Sequence, residues 1–216
     1  MYKAVIFDLD GTLLNTIDDL AAAGNYTLAQ MGLPQHTTQE FMRFIGNGIP
    51  KLIRRMLPSD ADEAAFQRAA ALFDAYYSLH KQDATAPYPG IPPLLEHLRT
   101  AGVRMAVLSN KAHHLTVPII RHYFGDVFDA VQGLEDGIPA KPAPAGANRL
   151  LEKLVLSPEE VLYVGDSDTD MRTAAAAGLT GCGVLWGFRS RETLLNGGAK
   201  LLVGDAAALE QLILCP

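Results

Sequence analysis

KAVIFDLDGT, residues 3–12, joins a short apolar run to an abrupt acidic turn. Lys3 to Phe7 is a short apolar run rich in β-forming residues, the pattern of a strand buried on both faces of a parallel sheet. Asp8, Asp10 and Gly11 then end the run. Similar stretches recur at Val103–Leu108, Val127–Val131, Val161–Val164 and Cys182–Trp186, with a shorter one at Leu201–Val203. Helical patterns separate most of them. Leu94, Leu95 and Leu98 precede Gly102; Leu150, Leu151 and Leu154 end another helix; Asp168 to Ala177 stops at Gly178. Strands alternating with helices predict an α/β chain built on a doubly wound parallel sheet.

One region interrupts the alternation. From Asn15 to about Asp83 only helical patterns occur. Ile17, Leu20, Ala21, Leu28 and Met31 share a face, with Asp18 and Asp19 in the first turn. Phe41, Phe44 and Ile45 form a second stripe, broken by Gly46-Asn47-Gly48. Pro50 opens a third helix and Ala64 to Leu79 a fourth; Tyr88-Pro89-Gly90 marks the return. The expected organisation is a core of residues 1–14 and 84–216, with a small all-helical domain of residues 15–83 inserted after the first strand.

Composition narrows the function. With 216 residues, 49% of them apolar, the chain can bury a large core. A net charge of -6 argues against nucleic acid as the main partner. No stretch is long enough to span a membrane and no signal-peptide pattern occurs, so a cytoplasmic protein is expected. Cys182 and Cys215 have neither zinc nor disulfide spacing. The acidic surface is compatible with a monomer or a homodimer.

The chemistry concentrates at Asp8 and Asp10. Residues two apart in extended chain point the same way, so both carboxylates can face one spot beyond the strand's C-terminal end. Two close carboxylates repel and need a cation or a shared proton. Mg2+, a hard ion that prefers oxygen ligands, satisfies this and bridges to phosphate. Taken alone, the turn is also compatible with an ordinary Asp-rich loop.

Three later stretches change that balance. Leu108-Ser109-Asn110-Lys111 follows the second strand, Lys141-Pro142-Ala143-Pro144 precedes a helix, and Gly165-Asp166-Ser167-Asp168-Thr169-Asp170 follows the fourth strand. With FDLDGTLLNT at positions 7–16, these four ordered motifs resemble those of the haloacid-dehalogenase-like hydrolases, across the whole chain. The resemblance implies a Rossmann-like core with a helical cap, and hydrolysis of a small phosphorylated metabolite with Mg2+. It implies that Asp8 is the nucleophile that forms an aspartyl-phosphate, and that Asp10 protonates the leaving oxygen while its main-chain carbonyl binds the metal. Ser109 and the Asn110 N–H would hold a phosphoryl oxygen, although either residue also suits a helix N-cap. Lys141 would offset charge on Asp8 and phosphate, Asp166 would complete the metal shell, and Asp170 would orient Lys141 or a metal-bound water. Asp168 fits a helix cap. Lys111 either binds or is merely exposed, and His113 and His114 begin a helix near the site.

Departures within the motifs discriminate among reactions. Dehalogenases of the family lack the second acid of the first motif, which is Asp10 here. Family mutases of the β-phosphoglucomutase type share both aspartates and stand as one alternative; a non-catalytic regulatory protein on the same fold is another. Phe44-Ile45-Gly46-Asn47-Gly48 resembles the cap loop of phosphoglycolate phosphatases, which makes Gly46, Asn47 and Gly48 candidate substrate contacts and 2-phosphoglycolate the leading substrate. The same loop also suits a tight turn between helices. Arg43 and Lys51 are nearby candidates for a substrate carboxylate.

Overall fold

The computed structural model describes residues 2–215. Its strands are β1 (Ala4–Phe7), β2 (Leu14–Asn15), β3 (Ala86–Pro87), β4 (Arg104–Ala112), β5 (Ala130–Leu134), β6 (Val161–Gly165), β7 (Thr180–Val184) and β8 (Leu201–Val203). The helices are α1 (Ile17–Gln30), α2 (Thr38–Phe44), α3 (Ile49–Met56), α4 (Glu63–His80), α5 (Ile91–Thr100), α6 (His113–Phe124), α7 (Ala145–Leu154), α8 (Asp168–Ala176), α9 (Arg191–Gly197) and α10 (Ala206–Leu214). Six strands form one sheet in the order β5-β4-β1-β6-β7-β8, all pairs parallel.

The alternation of β1 side chains builds the two faces. Val5 and Phe7 join a cluster with Leu94, Leu98, Ile119 and Leu209, from α5, α6 and α10. Ala4 and Ile6 join the opposite cluster with Leu150, Leu154 and Ala174, from α7 and α8. Every β1 residue is buried, as the unbroken apolar run predicts. Because β1 lies between β4 and β6, the strand order reverses at its C-terminal end. That is where ligands bind in open α/β sheets, and it is where Asp8 sits.

β1 and β6 depart from their expected bounds by a single residue, and β4, β5 and β7 by more. The strand expected at Val103–Leu108 runs on to Ala112, with a register shift between Leu108 and Ala112. Pairing of the next strand begins near Asp129, whose N–H donates to the Met105 carbonyl and whose carboxylate accepts from the Met105 N–H. Val127 and Phe128 pack against the core before the strand starts. β7 ends at Val184, and Trp186 leaves the sheet to donate its indole N–H to the Thr12 carbonyl at 3.0 Å.

The chain divides into two compact units, residues 1–14 with 87–216 and residues 15–86. The second unit holds α1 to α4, with Leu20, Leu28, Phe41, Ile53 and Phe73 buried. Thr37 and Glu40 form a reciprocal capping box at the start of α2. The unit ends three residues beyond the expected Asp83. Asp19 explains the extension: its buried carboxylate accepts from the N–H groups of Ala84 and Thr85 and from the Thr85 hydroxyl, at 2.6–2.9 Å. Among the described residues, no helix is long and apolar enough to cross a membrane.

Candidate active site

Lys141 organises the carboxylates at the end of β1. Its ammonium lies 2.7 Å from Asp8 Oδ1 and 2.7 Å from Asp170 Oδ1, and it also reaches the Leu108 carbonyl at 3.2 Å. The lysine comes from the loop before α7, and Asn110 fixes that loop to β4. The Asn110 carboxamide accepts from the Lys141 N–H at 2.8 Å and donates to the Lys141 carbonyl at 3.2 Å. Burial disfavours the Lys141 charge, but Asp170 and Asp8 outweigh it and hold its pKa well above the ordinary lysine range.

Asp170 has both oxygens engaged. Oδ1 also accepts from the Tyr163 hydroxyl at 3.2 Å, and Oδ2 accepts from the Ser167 N–H and hydroxyl. Ser167 and Asp170 thus form the capping box of α8. This corrects the reading of Asp168 as a cap. Asp168 is the first helical residue and pairs with Arg172 at 3.0 Å.

Asp166 follows β6 and faces Gly11 and Gly187 at close quarters. A Cβ on Gly11 would lie 2.3 Å from Asp166 Oδ2, and one on Gly187 would lie 2.2 Å from Asp166 Cβ. Only glycine fits at either position. The Phe188 N–H donates to Asp166 Oδ2 at 2.7 Å.

Asp8, Asp166 and Asp170 each offer an oxygen within 4.8 Å of the others. When all are ionised, three carboxylates and one ammonium leave a formal excess of two negative charges. Burial, then repulsion from Asp170, raises Asp8 well above the usual carboxylate range, and Lys141 only partly offsets this. The same two causes push Asp166 up to about 7. A site of hard oxygen donors with excess negative charge suits a divalent cation. Asp170 is committed to Lys141, Tyr163 and Ser167, which leaves Asp8 and Asp166 as the side chains able to hold the ion.

These shifts predict a pH-dependent stability. A carboxyl group with a raised folded pKa keeps its proton in the native state after the unfolded chain has released it. Between about pH 4 and pH 7 the native state therefore binds more protons, and metal-free stability falls as pH rises. A divalent cation held here would need the ionised carboxylates, so the stabilisation it gives would grow over the same window. Thermal melts should show a larger Mg2+-induced rise in melting temperature at about pH 8 than at about pH 5.5. An equal rise at both would contradict the assignment.

Other residues fall differently from expectation. Neither Ser109 nor Asn110 caps a helix, because α6 begins at His113 after Ala112. Ser109 Oγ accepts from the Lys111 N–H at 3.1 Å. Lys111 is buried rather than exposed, and its ammonium lies 3.1 Å from Asp10 Oδ1. The Asp10 carboxylate thus has its own cation, Lys111, whereas Lys141 serves Asp8 and Asp170. His113 Nδ1 accepts from the Gly133 N–H at 3.1 Å, tying α6 to β5. Sequence reasoning missed Tyr163, hidden in an apolar run, and the Phe188 N–H, a main-chain group with no side-chain signal.

The Gly46-Asn47-Gly48 loop lies in the helical unit, between α2 and α3. Gly46 and Gly48 have φ of 109° and 84°. Arg55 braces the loop: it donates to the Phe44 carbonyl and to Asn47 Oδ1, both at 2.8 Å.

Residues 5–184 match the family model described as haloacid dehalogenase-like hydrolase. The chain therefore belongs to the haloacid dehalogenase-like hydrolases. A Pseudomonas putida protein named phosphoglycolate phosphatase is 34% identical over 214 residues, covering 96% of this chain and 78% of the relative. A phosphoglycolate phosphatase from Cereibacter sphaeroides is 40% identical over 180 residues, covering 81% of each. The crystal structure of a protein from Lactobacillus delbrueckii subsp. bulgaricus superposes with a TM-score of 0.94 at 33% identity, covering 100% of this chain and 99% of that one. Within the family, the chain is a phosphatase, an enzyme of the phosphoric monoester hydrolase class.

Proposed function

We propose that the protein hydrolyses a small phosphate monoester, 2-phosphoglycolate first among the candidates, through an aspartyl-phosphate on Asp8 and with Mg2+. The observation that carries this reading is the convergence of Asp8, Lys141, Asp166 and Asp170 at the C-terminal end of β1. The substrate choice rests on the names of the relatives and on the Gly46-Asn47-Gly48 loop.

In this reading, Asp8 attacks phosphorus as the bond to the leaving oxygen breaks, and Asp10 gives that oxygen its proton. Ser109 and the Asn110 N–H bind the phosphoryl oxygens. Lys141 counters the charge on Asp8 and the transferring group, while Asp170, Tyr163 and Asn110 keep Lys141 in place. Water then attacks the aspartyl-phosphate, its proton passes to Asp10, and Asp8 is released. Asp8, Asp166 and the Asp10 main-chain carbonyl would hold Mg2+, which supplies positive charge against the phosphate when bound. Gly46, Asn47 and Gly48 would select the substrate, with donors presented by a loop that Arg55 stiffens. Phosphoryl transfer needs mainly this positioning and charge.

The test is phosphate release from 2-phosphoglycolate and a panel of hexose phosphates and pyrophosphate. Turnover of phosphoglycolate is expected with Mg2+ and its loss with EDTA, with kcat/KM in the range of about 10⁴–10⁶ M⁻¹s⁻¹. Preference for a hexose phosphate would move the substrate assignment and leave the chemistry standing. Isomerisation without phosphate release would replace the hydrolase by a mutase.

A further inference from the structure

The site contains two buried lysines, and the reading above uses only Lys141. The side chain of Lys111 is 2% exposed and that of Asp10 is 16% exposed. Lys111 Nζ contacts both Asp10 oxygens, at 3.1 and 3.4 Å. The backbone of Lys111 is held on both sides: its N–H donates to Ser109 Oγ, and its carbonyl accepts from the Thr116 hydroxyl at 3.1 Å. It lies in the irregular stretch of β4 between Leu108 and Ala112. Gly133 on β5 packs so closely that a Cβ there would come 2.7 Å from the Lys111 carbonyl. A buried ammonium on a braced backbone has little freedom of direction.

The two lysines divide the carboxylates between them. Lys141 holds Asp8 and Asp170, whereas Lys111 holds Asp10. Proton transfer depends on the carboxyl group lying within hydrogen-bond reach of the reacting oxygen. Left to itself, a partly exposed aspartate samples several rotamers. We propose that Lys111 is a positioning residue that fixes the Asp10 carboxyl group, which gives its proton to the leaving oxygen and, once ionised, takes one from water. The inference rests on the aspartyl-phosphate reading. In the first step the Asp8–phosphorus bond forms, the phosphorus–leaving-oxygen bond breaks, and the Asp10 proton goes to that oxygen. Water later forms the new phosphorus–oxygen bond, returns a proton to Asp10 and frees Asp8.

The experiment compares two leaving groups in Lys111→Met. p-Nitrophenolate leaves without a proton, whereas the alkoxide of glycolate does not. kcat/KM reports the half-reaction up to leaving-group departure. It should fall about 100-fold for 2-phosphoglycolate and less than about threefold for p-nitrophenyl phosphate. In an Asp10→Asn background, adding Lys111→Met should cost less than about twofold further, because residues acting as a unit are not additive. Equal losses for both esters, or additive losses with Asp10→Asn, would overturn the proposal and leave Lys111 a structural ion pair. If Lys111→Met does not fold, Lys111→Gln carries the same comparison. Wild-type protein and Asp8→Asn separate the two levels: full activity in Asp8→Asn defeats the underlying reading, while normal wild-type turnover with leaving-group-blind losses defeats the Lys111 role alone.

Discussion

Asp8→Asn is expected to lower kcat by about 10⁴-fold or more, with the fold intact and the metal-free protein no less stable. In the proposed reaction an amide cannot form the acyl-phosphate, so the loss should fall on chemistry rather than on substrate binding. The stability side follows from charge. Asp8 is buried beside Asp166 and Asp170, and its carboxyl group is raised well above its ordinary range by burial first and Asp170 second. Replacing it with a neutral isostere removes one of three mutually repelling carboxylates, and Lys141 keeps its 2.7 Å contact with Asp170. Phosphate release and a thermal melt in EDTA check both halves. Residual activity above about one hundredth of wild type, or a lower melting temperature in EDTA, would count against the nucleophile and its electrostatic setting.

Lys141→Met should act in the opposite sense on stability and in the same sense on rate. Removing the ammonium raises the formal charge excess of the cluster from two to three. Asp8 and Asp170 are both buried, and each loses a 2.7 Å partner. Breaking a buried pair by deleting one member typically costs about 3–5 kcal/mol, because the remaining charge is left uncompensated. The rate should fall about 10²–10³-fold, the usual loss when one charge-stabilising group is deleted from a site. Urea unfolding near neutral pH measures the first effect and steady-state kinetics the second. Mg2+ should recover part of the stability, since a cation offsets the same excess. A variant as stable as wild type would mean that the carboxylates are protonated and that Lys141 is not the charge holding them together. The opposed stability effects of Asp8→Asn and Lys141→Met separate an electrostatic cluster from a packing one.

Much of this was legible in the chain because the relevant signals are local. An unbroken apolar run ending in Asp8 marks β1, and its two faces follow from strand geometry. The spacing of the motifs places Ser109, Lys141 and Asp166 after successive strands or crossovers, and a parallel sheet gathers such ends on one edge. Failures came where a residue's fate is set by a distant partner. Lys111 and an exposed lysine look alike in sequence; what differs is Asp10, 101 positions away and 3.1 Å distant. Asp168 and Ser167 both suit a cap, and the choice falls on Ser167 because Asp170 completes the reciprocal pair. The inserted unit runs to Ala86, beyond the end of α4 at His80, because Asp19 captures Ala84 and Thr85, 65 and 66 residues on.

The sequence by itself determined the α/β class, the helical insertion, the family and the residues at the tip of β1, since periodicity and motif order are properties of neighbouring residues. The tertiary structure decided which carboxylate each lysine serves, why Gly11 and Gly187 must be glycine, and that Asp170 orients Lys141 rather than standing free. Those outcomes depend on distances of a few ångströms between segments far apart in the chain. At that range, burial and charge together set whether a carboxylate attacks, binds a cation or holds a neighbour in place.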